Sequence, residues 1–249
     1  MGMLARAESF CRAIEQAETS DDLRGAITEI AAELGFDYFA LTHHVDVERI
    51  PHASMRLHNY PESWVDYFDD NRLGVSDPVH RASHVTSVGF TWAELPRLIA
   101  MTPGDRTILA LAREEGLGEG FTVPAHVPGE ARGSCSFASR AGQPFPRHIL
   151  PLAQLAGGFA FEGARRMWRS KALGPEPHPV ITDRQRDCLV WVARGKSDWE
   201  ISRIIGISPE TVVRHVKQAR ERYGVEKRTS LLIRTLFDGT ISFTDIFRR

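Results

Sequence analysis

Residues 197–223 read SDWEISRIIGISPETVVRHVKQARERY. Ser197 and Glu200 have the S-x-x-E spacing of a capping box, in which two side chains satisfy backbone donors at a helix start. Ile201, Ile204 and Ile205 follow at helical spacing, and Gly206 can take the left-handed conformation that ends a helix. Ser208 with Pro209 is a second start, a cap followed by proline in the first helical position. Val212, Val216, Ala219 and Tyr223 line one face of this second helix, while Thr211, Arg214, Lys217, Gln218, Arg220 and Arg222 occupy the others. Two short helices joined this tightly, the second basic on its outer faces, have the form of a helix-turn-helix whose second helix enters the DNA major groove. An ordinary helical hairpin with a solvated charged face has the same pattern, so the stretch alone leaves both readings open.

Outward from it, Thr182 and Gln185 form another capping box, and the helix from Asp183 runs through Leu189 and Val192 to Gly195. A last helix is expected over residues 228–237, stopped by Gly239. The C-terminal domain, residues 180–249, is therefore expected to be all-α, four helices with the helix-turn-helix in the middle. Residues 173–179, LGPEPHP, hold three prolines in seven and cannot continue a helix. They mark a semi-rigid linker, residues 171–179, after a first domain of residues 1–170.

Charge divides at the same place. From Lys171 onward there are 15 Lys and Arg against 10 Asp and Glu; before it there are 16 against 22. A basic C-terminal part on an acidic body suits a nucleic-acid module attached to something that avoids DNA. A hydrophobic fraction of 42% is enough to bury ordinary cores. No apolar run is long enough to span a bilayer and no signal-peptide layout opens the chain, so a cytoplasmic location and no membrane partner are expected. The three cysteines are far apart and form no C-x-x-C, which argues against a zinc module and fits a reducing compartment.

The first domain begins with two stretches of helical spacing, Leu4 to Ala17 and Leu23 to Leu34, the second capped by Ser20 and ended by Gly35. Residues 36–44 read as a strand and 54–58 as a second, antiparallel to it. Helices are expected over 62–71 and 105–115. Two strands, 120–127 and 133–139, are joined by PGEAR as a hairpin. Residues 145–168 are mostly helical, with Pro151 either kinking the helix or marking its first turn. This order predicts an α+β domain with an antiparallel sheet between helix layers, an α-β-α sandwich.

With both halves read, the chain resembles the LuxR-type quorum-sensing regulators. TDRQRDCLVWVARGKSDWEIS followed by ISPETVVRHV is similar to that family's DNA-binding signature, with Leu189 and Gly195 on hallmark positions and Gln185 where Glu is usual. NYPESWVDYF, then DPV, Trp92 and GLGEGFTVP resemble its acyl-homoserine-lactone binding domain, with the family spacing of Tyr60, Trp64, Asp77 and Trp92. Phe68 stands where many members carry Tyr, and Leu73 where another aromatic is frequent.

The resemblance implies a ligand-responsive transcriptional regulator that senses an N-acyl-homoserine lactone and binds an inverted-repeat site on double-stranded DNA as a homodimer. In the first domain, which would also dimerise, it assigns the lactone carbonyl to the Trp64 indole, the amide N–H to Asp77, and the acyl carbonyl to Tyr60 and Ser136. Trp92, Phe39, Leu41, Phe68, Leu73 and Val79 would wall the lactone and tail. In the second domain it places Val213, Arg214 and Lys217 at base edges, Thr211 near a phosphate, and Lys227 and Arg228 on the backbone. No catalytic cofactor is implied. Taken singly these residues have plainer uses, Trp64 as core, Asp77 before Pro78 as a turn former, Ser136 as a small strand residue.

Two other functions compete. The same architecture can sense a different small molecule. An enzyme using the N-terminal pocket is the weaker alternative, because no nucleophile elbow or catalytic dyad is visible. Gly116, Gly118 and Gly120 precede no helix start and so are no dinucleotide fingerprint. His80 and His84 lack a third ligand for a metal, and His43 and His44 should lie on opposite faces of a strand.

Overall fold

The computed structural model describes residues 2–44, 55–128, 130–172 and 179–247, with backbone alone at 169–172. Part of the Pro-rich segment, the first residue of the 54–58 strand expectation and Gly129 of the hairpin turn lie outside the described residues. The chain forms two compact units, Met1–His126 with Ala131–Pro175, and Glu176–Arg249 with Val127–Glu130.

The first unit opens with α1 (Met3–Gln16) and α2 (Ser20–Glu33). The cap of α2 is Thr19, not Ser20: Thr19 Oγ1 accepts from the Asp22 N–H at 3.1 Å and Asp22 Oδ2 accepts from the Thr19 N–H at 2.9 Å. A T-x-x-D box closes as an S-x-x-E box does, so the helix starts one residue later than its cap. β1 (Tyr38–His43), β2 (Arg56–His58), β3 (Phe90–Thr91), β4 (Leu117–Ala125) and β5 (Gly133–Arg140) make one sheet in the order β2-β1-β5-β4-β3. All four pairings are antiparallel.

Alternation along β1 sorts residues between two faces. Phe39, Phe137 and Phe121 stand opposite one another across β1, β5 and β4, as do Leu41, Cys135 and Val123. These six pack with Phe10 and Ile14 of α1, Leu23 and Ile27 of α2, and Leu152 and Phe161 of α7 (Leu150–Ala172) in the main core. Pro151 sits in the first turn of α7, where its missing N–H costs nothing. The other face carries α3 (Glu62–Asp70), α4 (Pro78–Ser83), α5 (Leu95–Leu98) and α6 (Pro103–Glu114). Here burial is divided between two smaller clusters, one around Trp64 and Leu117, the other around Val79 and Phe90. Arg81 of α4 bonds Asp105 of α6 at 2.8 Å and ties these helices together.

The second unit holds α8 (Asp183–Ala193), α9 (Asp198–Ile205), α10 (Pro209–Arg222) and α11 (Arg228–Phe237), with a short α12 (Phe243–Phe247) beyond the four expected. α12 is started by Ser242 and Asp245, which bond reciprocally at 2.9 and 3.2 Å. Asp245 is held in turn by Arg186 at 2.8 Å. Leu189, Ile201, Val212, Ala219 and Leu231 are fully buried and form the centre of the helical core.

Candidate functional site

Ala40 and Thr42 of β1 look into a cavity between the sheet and the helices on that face. Ala40 and Thr42 of β1, Arg56 and His58 of β2 and Ser136 of β5 form its floor. Trp64, Val65 and Phe68 of α3 close one wall; Ile108, Leu109 and Ala112 of α6 close another. Tyr60, Asp77, Val79, His80, Trp92 and Leu117 complete the lining.

The polar groups are placed by local structure. Asp77 is the cap of α4, its Oδ1 accepting from the His80 N–H at 2.9 Å, with Pro78 in the first helical position. Only 6% exposed, it keeps a second carboxylate oxygen toward the cavity it lines. Burial pushes the pKa of the Tyr60 phenol far up, and the Asp77 charge adds to this, so the hydroxyl stays protonated as a donor. Neither that hydroxyl nor the indole N–H of buried Trp64 has a hydrogen-bond partner among the described residues.

Trp92 Nε1 donates to Thr122 Oγ1 at 3.0 Å, and Thr122 Oγ1 lies 2.8 Å from Ser136 Oγ. The indole can only donate, so Thr122 accepts from it and has its own hydrogen to give to Ser136. Either hydroxyl can donate across the Thr122–Ser136 contact, and where Thr122 gives its hydrogen the Ser136 hydrogen is left for a ligand. Gly120 makes room for the Trp92 ring: a Cβ there would stand 2.3 Å from it.

Beside the cavity His44 Nδ1 lies 2.9 Å from His84 Nε2, its Nε2 2.9 Å from Ser134 Oγ, and its ring stacks on His80 at 3.9 Å. Burial, and then the neighbouring His80, drives the His44 pKa well below its usual value. Burial and then Arg132 bring His84 down to about 4. No group of three metal-ligating side chains occurs among the described residues.

In the second unit α9 and α10 meet through Gly206, whose φ of 70° is the left-handed conformation the turn requires. The Ser197–Glu200 box is formed; the Ser197 backbone N–H and then Lys196 bring the Glu200 carboxyl down to about 2. Ser208 caps α10, and its Oγ lies 3.1 Å from Thr211 Oγ1. Val213, Arg214 and Lys217 are exposed along α10. Arg220 and Arg222 are engaged inside the unit, bonding the carbonyls of Glu226 and Val180.

Residues 19–164 match the autoinducer binding domain, and residues 179–235 match the bacterial regulatory proteins of the luxR family. The chain belongs to the LuxR family. This LuxR-family chain is 26% identical over 224 residues to the transcriptional activator protein AhyR of Aeromonas hydrophila, covering 89% of the chain and 86% of AhyR. Among solved structures it is similar to Escherichia coli SdiA in complex with octanoyl-rac-glycerol, with a TM-score of 0.68, 22% identity, and coverage of 97% and 98% of the two chains. It is also similar to CepR2 of Burkholderia cenocepacia, an N-acylhomoserine lactone dependent factor, with a TM-score of 0.52, 18% identity, and coverage of 68% and 96%. It is a DNA-binding transcriptional regulator that carries an autoinducer binding domain.

In this LuxR-family chain Tyr60, Trp64, Phe68, Asp77, Val79, Trp92 and Ser136 are brought to one cavity. Three expected wall residues are not. Phe39 and Leu41 point to the opposite face of β1, where both are fully buried against the α1, α2 and α7 side. Strand alternation excludes them, since their neighbours Ala40 and Thr42 face the cavity. Leu73 packs beside Trp64 behind the lining rather than in it. In the second unit Arg228 is ion-paired with Asp198 at 2.9 Å and so ties α11 to α9, while Lys227 is exposed. Sequence reading missed the floor residues Ala40, Thr42, Arg56 and His58. Alternation was the available signal for the first two; β2 was too short to show one.

Proposed function

We propose that this regulator senses an N-acyl-homoserine lactone and binds DNA as a homodimer, working in the cytoplasm where the DNA is. One observation supports the ligand class above others: two unpaired donors, Trp64 and Tyr60, and the carboxylate of Asp77 surround a single, largely apolar cavity. Such a lactone has two carbonyls, one amide N–H and an apolar tail, and each buried polar atom needs a partner. Trp64 would donate to the lactone carbonyl, Asp77 accept from the amide N–H, and Tyr60 and Ser136 donate to the acyl carbonyl. Trp92, Phe68 and Val79 would contact the lactone and tail.

The ligand acts through stability. A molecule that binds only the folded state stabilises it by about 2.7 kcal/mol at a hundredfold excess over Kd, a sizeable share of a typical domain's total. The ordered first domain, residues 1–170, then pairs, and the linker, residues 171–179, lets two domains of residues 180–249 reach half-sites about one DNA turn apart. Arg214 with Val213 and Lys217 would read base edges, and Thr211 and Lys227 would touch phosphates.

The octanoyl-rac-glycerol held by SdiA favours a second reading, a glycerol ester in the same cavity. It lacks an amide N–H for Asp77. Mass spectrometry of the organic extract of purified protein, with thermal shift against both ligand classes, separates the two: lactone binding that Asp77→Asn weakens supports the first reading, and a glycerol ester bound in preference overturns it. For the DNA face, binding-site selection should show Arg214→Ala relaxing preference at one base pair per half-site, while Lys227→Ala weakens all sequences alike.

A further inference from the structure

The cavity floor has two polar ends. Register places His58 of β2 opposite Ala40 of β1, Ala40 opposite Ser136 of β5, and Ser136 opposite Thr122 of β4. These four side chains form one row across the sheet. Neighbouring strands lie about 4.8 Å apart, so His58 stands roughly 10 Å from Ser136 along the floor. Between them is only the methyl group of Ala40, the low point over which an acyl tail would run. Thr42 and Arg56 form the next row in the same direction.

Ser136 and Thr122 are linked to Trp92 by hydrogen bonds; the other end has no such link. Neither ring nitrogen of His58 has a hydrogen-bond partner among the described residues: Nδ1 is sealed inside the protein, and the ring lines the cavity. An orphaned buried polar atom is unfavourable by a factor of about ten or more in an equilibrium constant, and that factor is recovered when a partner arrives. Beside it, Arg56 Nη1 bonds both carboxylate oxygens of Asp69, at 2.6 and 2.7 Å, and its guanidinium lies 5.9 Å from the Phe68 ring. The Arg56 charge is therefore already balanced, while its remaining N–H groups still flank the cavity. We propose that His58, with Arg56 beside it, is a subsite for a hydroxyl group carried far along the ligand's acyl tail. This rests on the reading of the cavity as an acyl-chain site.

The choice of a hydroxyl follows from the charges. Burial, and then the Arg56 charge, lowers the His58 pKa, which keeps the ring neutral near neutral pH. A neutral imidazole has one donor and one acceptor, and a hydroxyl can meet either. A plain methyl end would leave the imidazole without a partner. A carboxylate would add a buried charge next to an ion pair that has none to spare. If instead His58 only packs, its ring 6.5 Å from that of Tyr60, tail chemistry would not register there.

The test measures binding of the full chain to N-acyl-homoserine lactones from hexanoyl to dodecanoyl, each with a methyl, hydroxymethyl or carboxyl terminus. At one or more intermediate lengths the hydroxylated tail should bind about tenfold tighter than the alkyl tail. His58→Leu should abolish or reverse that preference, and His58→Gln, which keeps a donor and an acceptor, should retain it. Equal or tighter binding of the alkyl tail at every length overturns the proposal. So does a preference that survives His58→Leu, or tightest binding of the carboxylate. If His58→Leu does not fold, the wild-type series decides alone. If no lactone binds, the same tails are compared on monoacylglycerols. A hydroxyl preference there upholds the tail subsite while rejecting the lactone head group, and no preference in either series rejects the subsite.

Discussion

The two faces of the N-terminal sheet are built from alternate residues of the same strands, yet they do opposite things. One face, with Phe39, Leu41, Phe137 and Val123, is sealed by α1, α2 and α7 into the largest core of the molecule. The other, one residue out of step, carries Ala40, Thr42 and Ser136 and leaves a cavity. Small and hydroxyl-bearing residues cannot fill the space that helices and strand spacing impose, so a gap remains where a continuous core would otherwise form. One face stabilises the domain without help, and the other leaves stability in reserve for whatever enters. The difference lies in side-chain volume, not in backbone.

The sharpest way to break this contrast is to hollow out the sealed face. Phe39→Ala should reduce folding stability by about 3–5 kcal/mol, read as a fall in the urea midpoint, and ligand selectivity in the surviving folded fraction should not change. A shift in tail preference instead would mean that Phe39 reaches the cavity after all. On the open face, Asp77→Asn should do the reverse. Asn caps a helix about as well as Asp, so unliganded stability should hold, while ligand affinity drops by about 1.5–3 kcal/mol with the loss of a charge-assisted bond. Isothermal titration beside thermal melts shows whether the two effects separate.

Gly120→Ala tests how finely the open face is shaped. The added methyl would meet the Trp92 ring at 2.3 Å, so the indole must move from Thr122. A loss of about 1–3 kcal/mol is expected from such overpacking, with a change in tryptophan fluorescence. The smallest effect is a pH dependence located on the cavity side. His84 titrates at about 4 in the folded protein against 6.5 for the free side chain. The unfolded chain takes up this proton first as pH falls, so stability is full above the unfolded value and declines between the two. The urea midpoint should therefore drop from neutral pH to about pH 5, and His84→Asn should flatten that slope.

Much of the fold was legible because it is written in local signals. Capping boxes at Ser197 and Thr182, stops at Gly35, Gly195 and Gly206, and the α10 stripe of Val212, Val216 and Ala219 each act within a few residues and survive into the structure. Elements of two to six residues, such as β3, α4 and α5, are too short to show a period. The inward and outward faces of β1 were equally hard to tell apart, because alternation gives two sets without saying which meets the larger core. Phe39 and Leu41 are the more apolar set and went to the sealed face. His58 and Arg56 reach the cavity only through the pairing of β2 with β1, a tertiary fact that no window of sequence contains.

Both margins of the sheet are short, three residues in β2 and two in β3 among the described residues. A strand edge with its N–H and C=O groups unpaired is a template on which another chain can assemble. Here the long strands β1, β4 and β5 are interior, and each margin has only a brief ladder to give. Strand-by-strand accretion between copies therefore has little to grow on, even when an empty cavity leaves the domain poorly stabilised. Aggregates of the unliganded protein should arise from wholesale unfolding, with the order in protein concentration and the temperature threshold of the melt itself, rather than from docking of native sheets below it.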